Sequence, residues 1–160
     1  MKQEKSGVWQ SWNENISYNY KSLYKITSED ELQQIIKKSE KIRFFGTKQS
    51  SADIASGTET LVDISTYNKI LSYNDSERTI TVQSGLILGD LLEAIEAKGW
   101  CIPCLPDINT ITIGGALATG THGTSGKLLC EYMTKCSLVL ADGAVINLGD
   151  DQDVKLTHVA

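Results

Sequence analysis

A run of small residues between residues 111 and 124 carries the clearest chemical signal in the sequence. It reads Ile-Thr-Ile-Gly-Gly-Ala-Leu-Ala-Thr-Gly-Thr-His-Gly-Thr, with four glycines and four threonines. Small side chains let a ligand reach the backbone, and glycine also permits positive φ. The amide donors and hydroxyls of this run suit a pyrophosphate, whose charge oriented dipoles would meet without lysine or arginine. The composition fits equally well a helix packed through small residues with a glycine-rich turn after it.

A second small, polar run covers residues 46–51 and reads Gly-Thr-Lys-Gln-Ser-Ser. It follows the segment 41–45, Lys-Ile-Arg-Phe-Phe, which favours a strand ending abruptly at Gly46. A glycine and small hydroxyl residues directly after a strand are typical of a phosphate-cradling turn. An ordinary loop is the alternative, since neither run matches the dinucleotide or Walker fingerprints.

The cysteines and histidines offer other chemistry, which the sequence supports less well. Trp100-Cys101-Ile102-Pro103-Cys104 is close to a Trp-Cys-Gly-Pro-Cys redox box. That box needs its first cysteine at a helix N-terminus, where the dipole lowers the thiol pKa, and Pro106 disfavours a helix here. A thiol–disulfide protein therefore remains a minor alternative, and the cysteine spacing predicts no metal site. His122 is interpreted as a structural donor, and His158 is given no role.

The charge and the distribution of apolar residues argue against nucleic-acid binding and a membrane span. The net charge is −5, the pI is about 5.0, and no basic run appears, which argues against nucleic acid. No apolar stretch reaches the length of a membrane span, and no apolar leader follows Met1. The sequence thus predicts a cytoplasmic protein with no membrane span and with reduced cysteines.

The elements that must position these runs alternate between strands and helices. Residues 1–20 are interpreted as a polar N-terminal arm whose indoles pack onto the domain. A capping box at Ser28 and Glu31 predicts a helix over 28–39, and Gly99 ends a second helix over 88–98. Strands are predicted at 22–26, 41–45, 59–63, 69–73, 78–84, 134–140 and 145–148. This order indicates an α+β fold of two small subdomains.

Taken in order, these segments resemble the FAD-binding domain of the vanillyl-alcohol oxidase superfamily. The likeness is closest to the aldonolactone oxidases, the gulonolactone and arabinono-lactone oxidases. It rests most on the string Thr119–Gly123, Thr-Gly-Thr-His-Gly, at the correct distance from residues 46–50. Further matching segments lie at 8–12, 61–63, 68–71, 79–85 and 138–143.

The resemblance implies a two-subdomain FAD-binding fold of the vanillyl-alcohol oxidase type. Its FAD-binding domain would cover residues 21–160, with a first subdomain at about 21–75 and a second at about 76–160. The resemblance also implies that the last elements of this fold, and the substrate domain, are absent from these 160 residues. That substrate domain is expected in a longer chain or in a separate subunit.

The resemblance further implies which residues contact FAD. The first loop would wrap the pyrophosphate and the flavin edge, a middle segment would approach the isoalloxazine ring, and the second loop would complete the site. The implied residues are Gly46, Thr47, Lys48, Gln49, Ser50, Ser51, Asp107, Ile108, Ile111, Gly114, Gly115, Ala116, Thr119, Gly120, Thr121, His122 and Gly123.

Two positions depart from the family pattern. Gln49 replaces the histidine that links covalently to FAD in many members, and a carboxamide is not a nucleophile, so FAD is expected to be non-covalent. Lys48 stands where the family usually has glycine. The implied activity is oxidation of a sugar lactone, alditol or related alcohol by hydride transfer to FAD, with catalytic residues unknown and this chain alone not competent. The alternative is a non-catalytic remnant of the fold that no longer binds flavin.

Overall fold

A β-hairpin occupies the segment for which the sequence predicts a polar arm. In the computed structural model, which describes residues 1–149, strand β1 (Lys2–Gln10) pairs antiparallel with β2 (Ser17–Lys25). Trp9 and Leu23 are buried together on one face of this hairpin. The arm predicted over residues 1–20 is thus a pair of strands, and the strand predicted from residue 22 begins at Ser17. Of the two indoles expected to pack onto the domain, Trp9 does so and Trp12 is exposed.

A four-stranded mixed sheet is built around β4. Strands β3 (Arg43–Phe45) and β4 (Thr60–Asp63) complete the order β1-β2-β4-β3, in which β4 runs parallel to both neighbours. Successive side chains of a strand point to opposite faces, so Leu61 joins the core of Trp9 while Val62 joins a second core. Strand β3 ends at residue 45, directly before the first small polar run.

Helix α1 (Glu29–Lys38) confirms the helix predicted over 28–39. It packs over the second of these cores. The Glu31 N–H donates to the Ser28 side chain at 3.3 Å, which confirms the predicted cap. The Glu31 carboxylate, however, accepts the Thr27 N–H at 2.8 Å, so it closes the box one residue earlier than expected. The cap fixes where the chain turns from β2 into the helix.

The second half of the described chain is assembled around helix α2 (Leu88–Glu96). The hairpin of β5 (Ile70–Asn74) and β6 (Thr79–Val82) precedes it, as predicted. After α2, Gly99 adopts φ +71°, the left-handed conformation expected at this helix end. The buried face of α2 forms the centre of the third core, which comprises Leu86, Leu88, Leu91, Ile95, Ile113, Ala116 and Leu129.

Short elements follow α2. A third helix, α3 (Ile113–Ala118), lies inside the small-residue run, so the helical interpretation of that run is right for these six residues. A 3₁₀ turn (Leu129–Tyr132) leads to the predicted hairpin of β7 (Cys136–Val139) and β8 (Val145–Leu148). The elements confirm the α+β class. The end of the predicted second subdomain, including His158, lies outside the described residues, and the division at about residue 75 stays a prediction.

No helix within residues 1–149 is long and apolar enough to cross a membrane.

Candidate functional site

The two small-residue runs, distant in sequence, meet at Gly46 and Thr112. A Cβ added at Gly46 would overlap the Thr112 Oγ1 atom and lie 2.7 Å from its Cγ2. Such approaches are far inside van der Waals contact, so only glycine fits where β3 ends against the start of α3. The structure therefore places the beginning of the predicted first loop directly against the predicted second loop.

Helix α3 is anchored through its backbone to the segment between β6 and α2. The Ile113 N–H donates to the Leu86 carbonyl at 2.8 Å, and the Gly114 N–H donates to the Ser84 carbonyl at 2.7 Å. A Cβ at Gly114 would lie 2.9 Å from the Ser84 Cβ, so this glycine permits close packing. The Gly114 N–H therefore already has an acceptor within the protein. The glycine is needed for packing against Ser84, whether or not it also contacts the cofactor as predicted.

The start of α3 is fixed by Thr112, a residue that the sequence analysis missed. Thr112 is 2% exposed, and its Oγ1 accepts the Gly115 N–H at 3.3 Å. A threonine directly before a helical run is a recognisable N-cap signal. Thr112 therefore both caps α3 and forms the contact surface for Gly46.

The string Thr119–Gly123 forms the turn that leaves α3. The Thr119 Oγ1 donates to the Gly115 carbonyl at 2.9 Å and lies 3.3 Å from the Thr121 Oγ1. Gly120 adopts φ +62°, and the Thr121 N–H returns to the Ala116 carbonyl at 3.1 Å. The string is therefore a tight helix-ending turn that leaves hydroxyl groups at its surface.

His122 lies exposed in this turn. Its Nδ1 lies 3.2 Å from the Gly123 carbonyl, a contact that suits the structural role assigned to this histidine from sequence. A Cβ at Gly123 would overlap the Leu105 carbonyl oxygen, so the turn also rests on the segment before residue 107. The predicted second loop is thus in contact with the chain just before the predicted middle segment.

The middle segment crosses the start of α2. The Asn109 carbonyl accepts the Gly89 N–H, and the Ile111 carbonyl accepts the Leu88 N–H, both at 2.8 Å. Asp107 and Ile108 are exposed, and Ile111 is half-buried. This arrangement leaves an apolar side chain and a carboxylate of the predicted ring-approach segment at the surface.

The first loop presents backbone donors that nothing else in the described chain uses. Within residues 1–149, the amides of residues 47–50 donate to no protein acceptor, although these residues are half-buried. Lys48 adopts φ +62°, so a lysine occupies a left-handed position in this loop. Turns of this kind are where successive amides form concavities that bind anions. The unused amides of this loop are donors of the kind that a pyrophosphate accepts.

The remaining predicted residues of the first loop behave differently. The Ser50 Oγ donates to the Ala52 carbonyl at 3.1 Å and accepts the Ala52 N–H at 3.2 Å, so this hydroxyl is engaged in a local turn. Ser51 is exposed. These two residues end the loop, whose free donors are the amides of residues 47–50.

Two surface depressions lie outside both runs. One of about 400 Å³ is lined by residues of β1 and β2 around Gly7 and Tyr20, and one of about 300 Å³ lies around Lys41 and Thr58. Neither is lined by a predicted cofactor residue.

The cysteine pair lacks the geometry of a redox box. Cys104 is buried and its Sγ donates to the Lys127 carbonyl at 2.9 Å, whereas Cys101 is exposed. In the described chain no helix begins between Cys101 and α3, so neither cysteine stands in the first turn of a helix, as a redox box requires. The thiol–disulfide alternative therefore has no support in the structure. The described part of the chain also contains no group of three or more histidine, cysteine and acidic side chains that could hold a metal.

Comparison with known protein families establishes the family of this domain. The pattern of the family described as FAD binding domain matches residues 21–149, most of the chain. The chain belongs to this family of FAD-binding domains. Its cofactor is FAD, and the resemblance inferred from the two loops is confirmed.

Two relatives of this FAD-binding domain are named as lactone oxidases. L-gulonolactone oxidase of Mus musculus is 23% identical over 158 residues, which cover 95% of this chain and 36% of the relative. A putative D-arabinono-1,4-lactone oxidase of Neurospora crassa is 31% identical over 117 residues, which cover 72% of this chain and 21% of the relative. The chain thus spans about a third or less of these relatives.

A solved structure confirms the fold of the domain. Cholesterol oxidase from B. sterolicum superposes with a TM-score of 0.79 at 16% identity, over 92% of this chain and 32% of that one. The predicted two-subdomain FAD-binding architecture is therefore correct as a fold. The identity of each cofactor contact stays a prediction.

Proposed function

We propose that this FAD-binding domain belongs to an oxidoreductase that oxidises a sugar lactone, an alditol or a related alcohol. The observation that carries the proposal is the junction of Gly46 with Thr112, beside a loop whose amides at 47–50 are unused. The lactone oxidases among the relatives support the substrate class. When bound, FAD supplies the two-electron acceptor at its isoalloxazine ring.

In this proposal the chain's own residues bind and orient the cofactor. The amides of residues 47–50 donate to the pyrophosphate oxygens, and amide hydrogen bonds to charged oxygens are stronger than neutral ones. The Thr121 hydroxyl, 3.3 Å from the Thr119 Oγ1, would offer a further donor from the second loop, whereas the Thr119 hydroxyl donates to the Gly115 carbonyl. Ile108 provides apolar surface for the ring, and the carboxylate of Asp107 lies beside it. Gln49 lies at the flavin edge without bonding to it.

The decisive test compares a site variant with a distant one by FAD titration. A Cβ at Gly115 would lie 2.9 Å from the Thr112 Oγ1, the atom that also faces Gly46, so Gly115→Leu places a bulky side chain beside the junction of the two loops. We expect this variant to fold and to lose FAD affinity by orders of magnitude, because each lost amide contact contributes about 1.5–3 kcal/mol. The Cys101→Ser/Cys104→Ser variant should bind like the parent, with circular dichroism checking both folds. Normal binding by Gly115→Leu, with loss in the serine variant, would place the site elsewhere.

The flavin is proposed to be non-covalent, because Gln49 offers no nucleophile at the position of the family's linking histidine. Acid denaturation should then release all flavin into the supernatant. Flavin fluorescence that stays with the protein band on a denaturing gel would show a covalent bond.

The substrate-binding part is proposed to lie in a longer chain or in a separate subunit. This inference is supported by the relatives, of which this chain covers about a third or less. Co-expression with the remaining part of a lactone oxidase provides the test, and it should restore reduction of the bound cofactor by lactone.

The protein is proposed to work in the cytoplasm. In the described residues all four cysteines are free, which suits a reducing compartment. Cell fractionation with antibody detection tests this, and enrichment of the chain in an organelle fraction would contradict it.

A further inference from the structure

Lys48 connects the first loop to the N-terminal hairpin at two points. Its carbonyl oxygen accepts the Trp12 N–H at 3.2 Å, directly after β1. Its ammonium lies 5.7 Å from the ring centroid of Trp9 and 5.5 Å from that of Phe45. Cations within about 6 Å of a ring centroid are attracted to the ring face. Both the backbone and the side chain of this residue are therefore held by the hairpin and the end of β3.

The aromatic surface under the ammonium is itself rigid. Trp9 is 4% exposed, stacks on Tyr18 with 5.0 Å between ring centroids, and meets Phe45 edge-on at 6.0 Å. The Trp9 Nε1 is buried without a hydrogen-bond partner in the described chain. The indole is thus held by ring packing, and its face presents a fixed platform for Lys48.

The loop needs such support because its own hydrogen bonds do not define its shape. The amides of residues 47–50 make no bond within residues 1–149, and Lys48 holds φ +62°, a conformation that disfavours residues with a Cβ. A strained residue persists only where its surroundings fix it. Here the surroundings are the hairpin contacts at Lys48.

We propose that Lys48 is a positioning residue, through which the β1–β2 hairpin holds the first loop in the shape that receives the FAD pyrophosphate. Its ammonium stays on the Trp9 and Phe45 rings, and the unused amides of the loop meet the phosphate. The hairpin's first strand lies outside the part of the chain that matches the FAD binding domain family, which begins at residue 21. The inference rests on the proposed pyrophosphate role of this loop.

Three variants of the 160-residue chain test this role. Lys48→Met keeps the length of the side chain and removes its charge, whereas Lys48→Arg keeps the cation over the rings. Val8→Thr is the matched control, since Val8 is 65% exposed and adjoins Trp9 in β1. NMR without cofactor follows exchange of the Trp12 amide and the resonance of the Trp9 indole N–H, and titration then gives the FAD dissociation constant.

The expected result is a coupled change in Lys48→Met alone. Its Trp12 amide should exchange about tenfold faster and its Trp9 indole resonance should move. FAD binding should weaken about tenfold, equivalent to about 1.4 kcal/mol. Lys48→Arg and Val8→Thr should stay within about twofold of the parent in both measurements.

Two results would overturn the inference. If Lys48→Met binds FAD weakly while its Trp12 exchange and Trp9 resonance match the parent, the ammonium contacts the phosphate directly. If exchange accelerates while FAD affinity is unchanged, the hairpin does not position the loop. A parent chain that takes up no FAD would refute the proposed function instead, and the exchange measurement would still establish or refute the hairpin contact.

Discussion

At the scale of single residues, Gly46 is required by its neighbour and not by a special backbone angle. The space that a methyl group would need is filled by Thr112, which is buried and caps α3. A side chain at residue 46 would therefore push the two loops apart.

We predict that Gly46→Ala lowers the free energy of unfolding by about 1–3 kcal/mol, the usual cost of overpacking. Urea unfolding measures this value. Thr112→Ala removes the Oγ1 and Cγ2 atoms that conflict with the new methyl group, so the double variant should lose less stability than the sum of the two single variants. Strict additivity would mean that the two residues are not in contact.

The Tyr18 phenol is expected to make the stability of the protein depend on pH in the alkaline range. Burial raises the pKa of the Tyr18 phenol from 10.0 to about 12, the charge of Asp53 adds to the increase, and Arg43 opposes it. The hydroxyl donates to the Ala55 carbonyl at 2.6 Å, a bond that needs its proton. The folded state thus holds this proton more tightly than the unfolded chain.

The sign of the resulting pH dependence follows from proton linkage. Because the folded pKa is raised, the Tyr18 contribution to stability is complete below pH 10.0 and is lost as the pH rises to about 12. We predict that Tyr18→Phe shows a shallower loss of stability in this window, measured by urea unfolding across pH. An identical slope in parent and variant would contradict the raised pKa.

At the scale of elements, the cap of α1 is the clearest stabilising device that sequence alone predicts. We expect Ser28→Ala to lower the free energy of unfolding by about 1 kcal/mol, since it leaves the Glu31 N–H without the acceptor it has now. Ser39→Ala at the other end of α1 is the control. In the described chain Ser39 makes a cap bond only through its backbone N–H. Equal effects of the two variants would mean that the loss comes from helix propensity.

Elements with a strong local signal could be predicted from the sequence, and the first hairpin could not. The stripe of Leu88, Leu91 and Ile95 and the alternation of 79–82 fix α2 and β6 without reference to the rest of the chain. In β2, Tyr18 and Tyr20 alternate with exposed residues, but the many polar groups of 1–20 concealed that pattern. Its burial depends on β4, some 40 residues away, which periodicity within a short window cannot reveal.

The candidate site was predictable as two runs, but their contact was not. The small residues at 46–51 and 111–124 allowed a phosphate site but fitted an ordinary loop and a closely packed helix as well, and the family resemblance favoured FAD. Neither run contains a sequence signal for the contact between Gly46 and Thr112 or for the contact between the Lys48 ammonium and the Trp9 ring. Those contacts depend on how the sheet of β3 meets the core of α2 and α3, which is a property of the whole fold.

At the scale of the whole molecule, we predict that this chain alone reduces no bound FAD when sugar lactones or alditols are added. The motivation is the length of the lactone oxidases it resembles, of which it covers 36% or less. Stopped-flow absorbance of the bound flavin provides the measurement, with dithionite as a positive control. Bleaching by a lactone faster than in buffer would show that the 160 residues already contain a substrate site.

The position of β4 between β2 and β3 also constrains how the chain can fold as the ribosome releases it. In the described chain β3 pairs only with β4, which follows it in sequence, so β3 must wait unpaired with Phe44 and Phe45 exposed. At about 5–20 residues per second, synthesis of the intervening loop takes about 1–3 s. During that interval an apolar strand edge next to the future phosphate loop is open to chaperones, and synonymous codons that slow this stretch would lengthen its exposure.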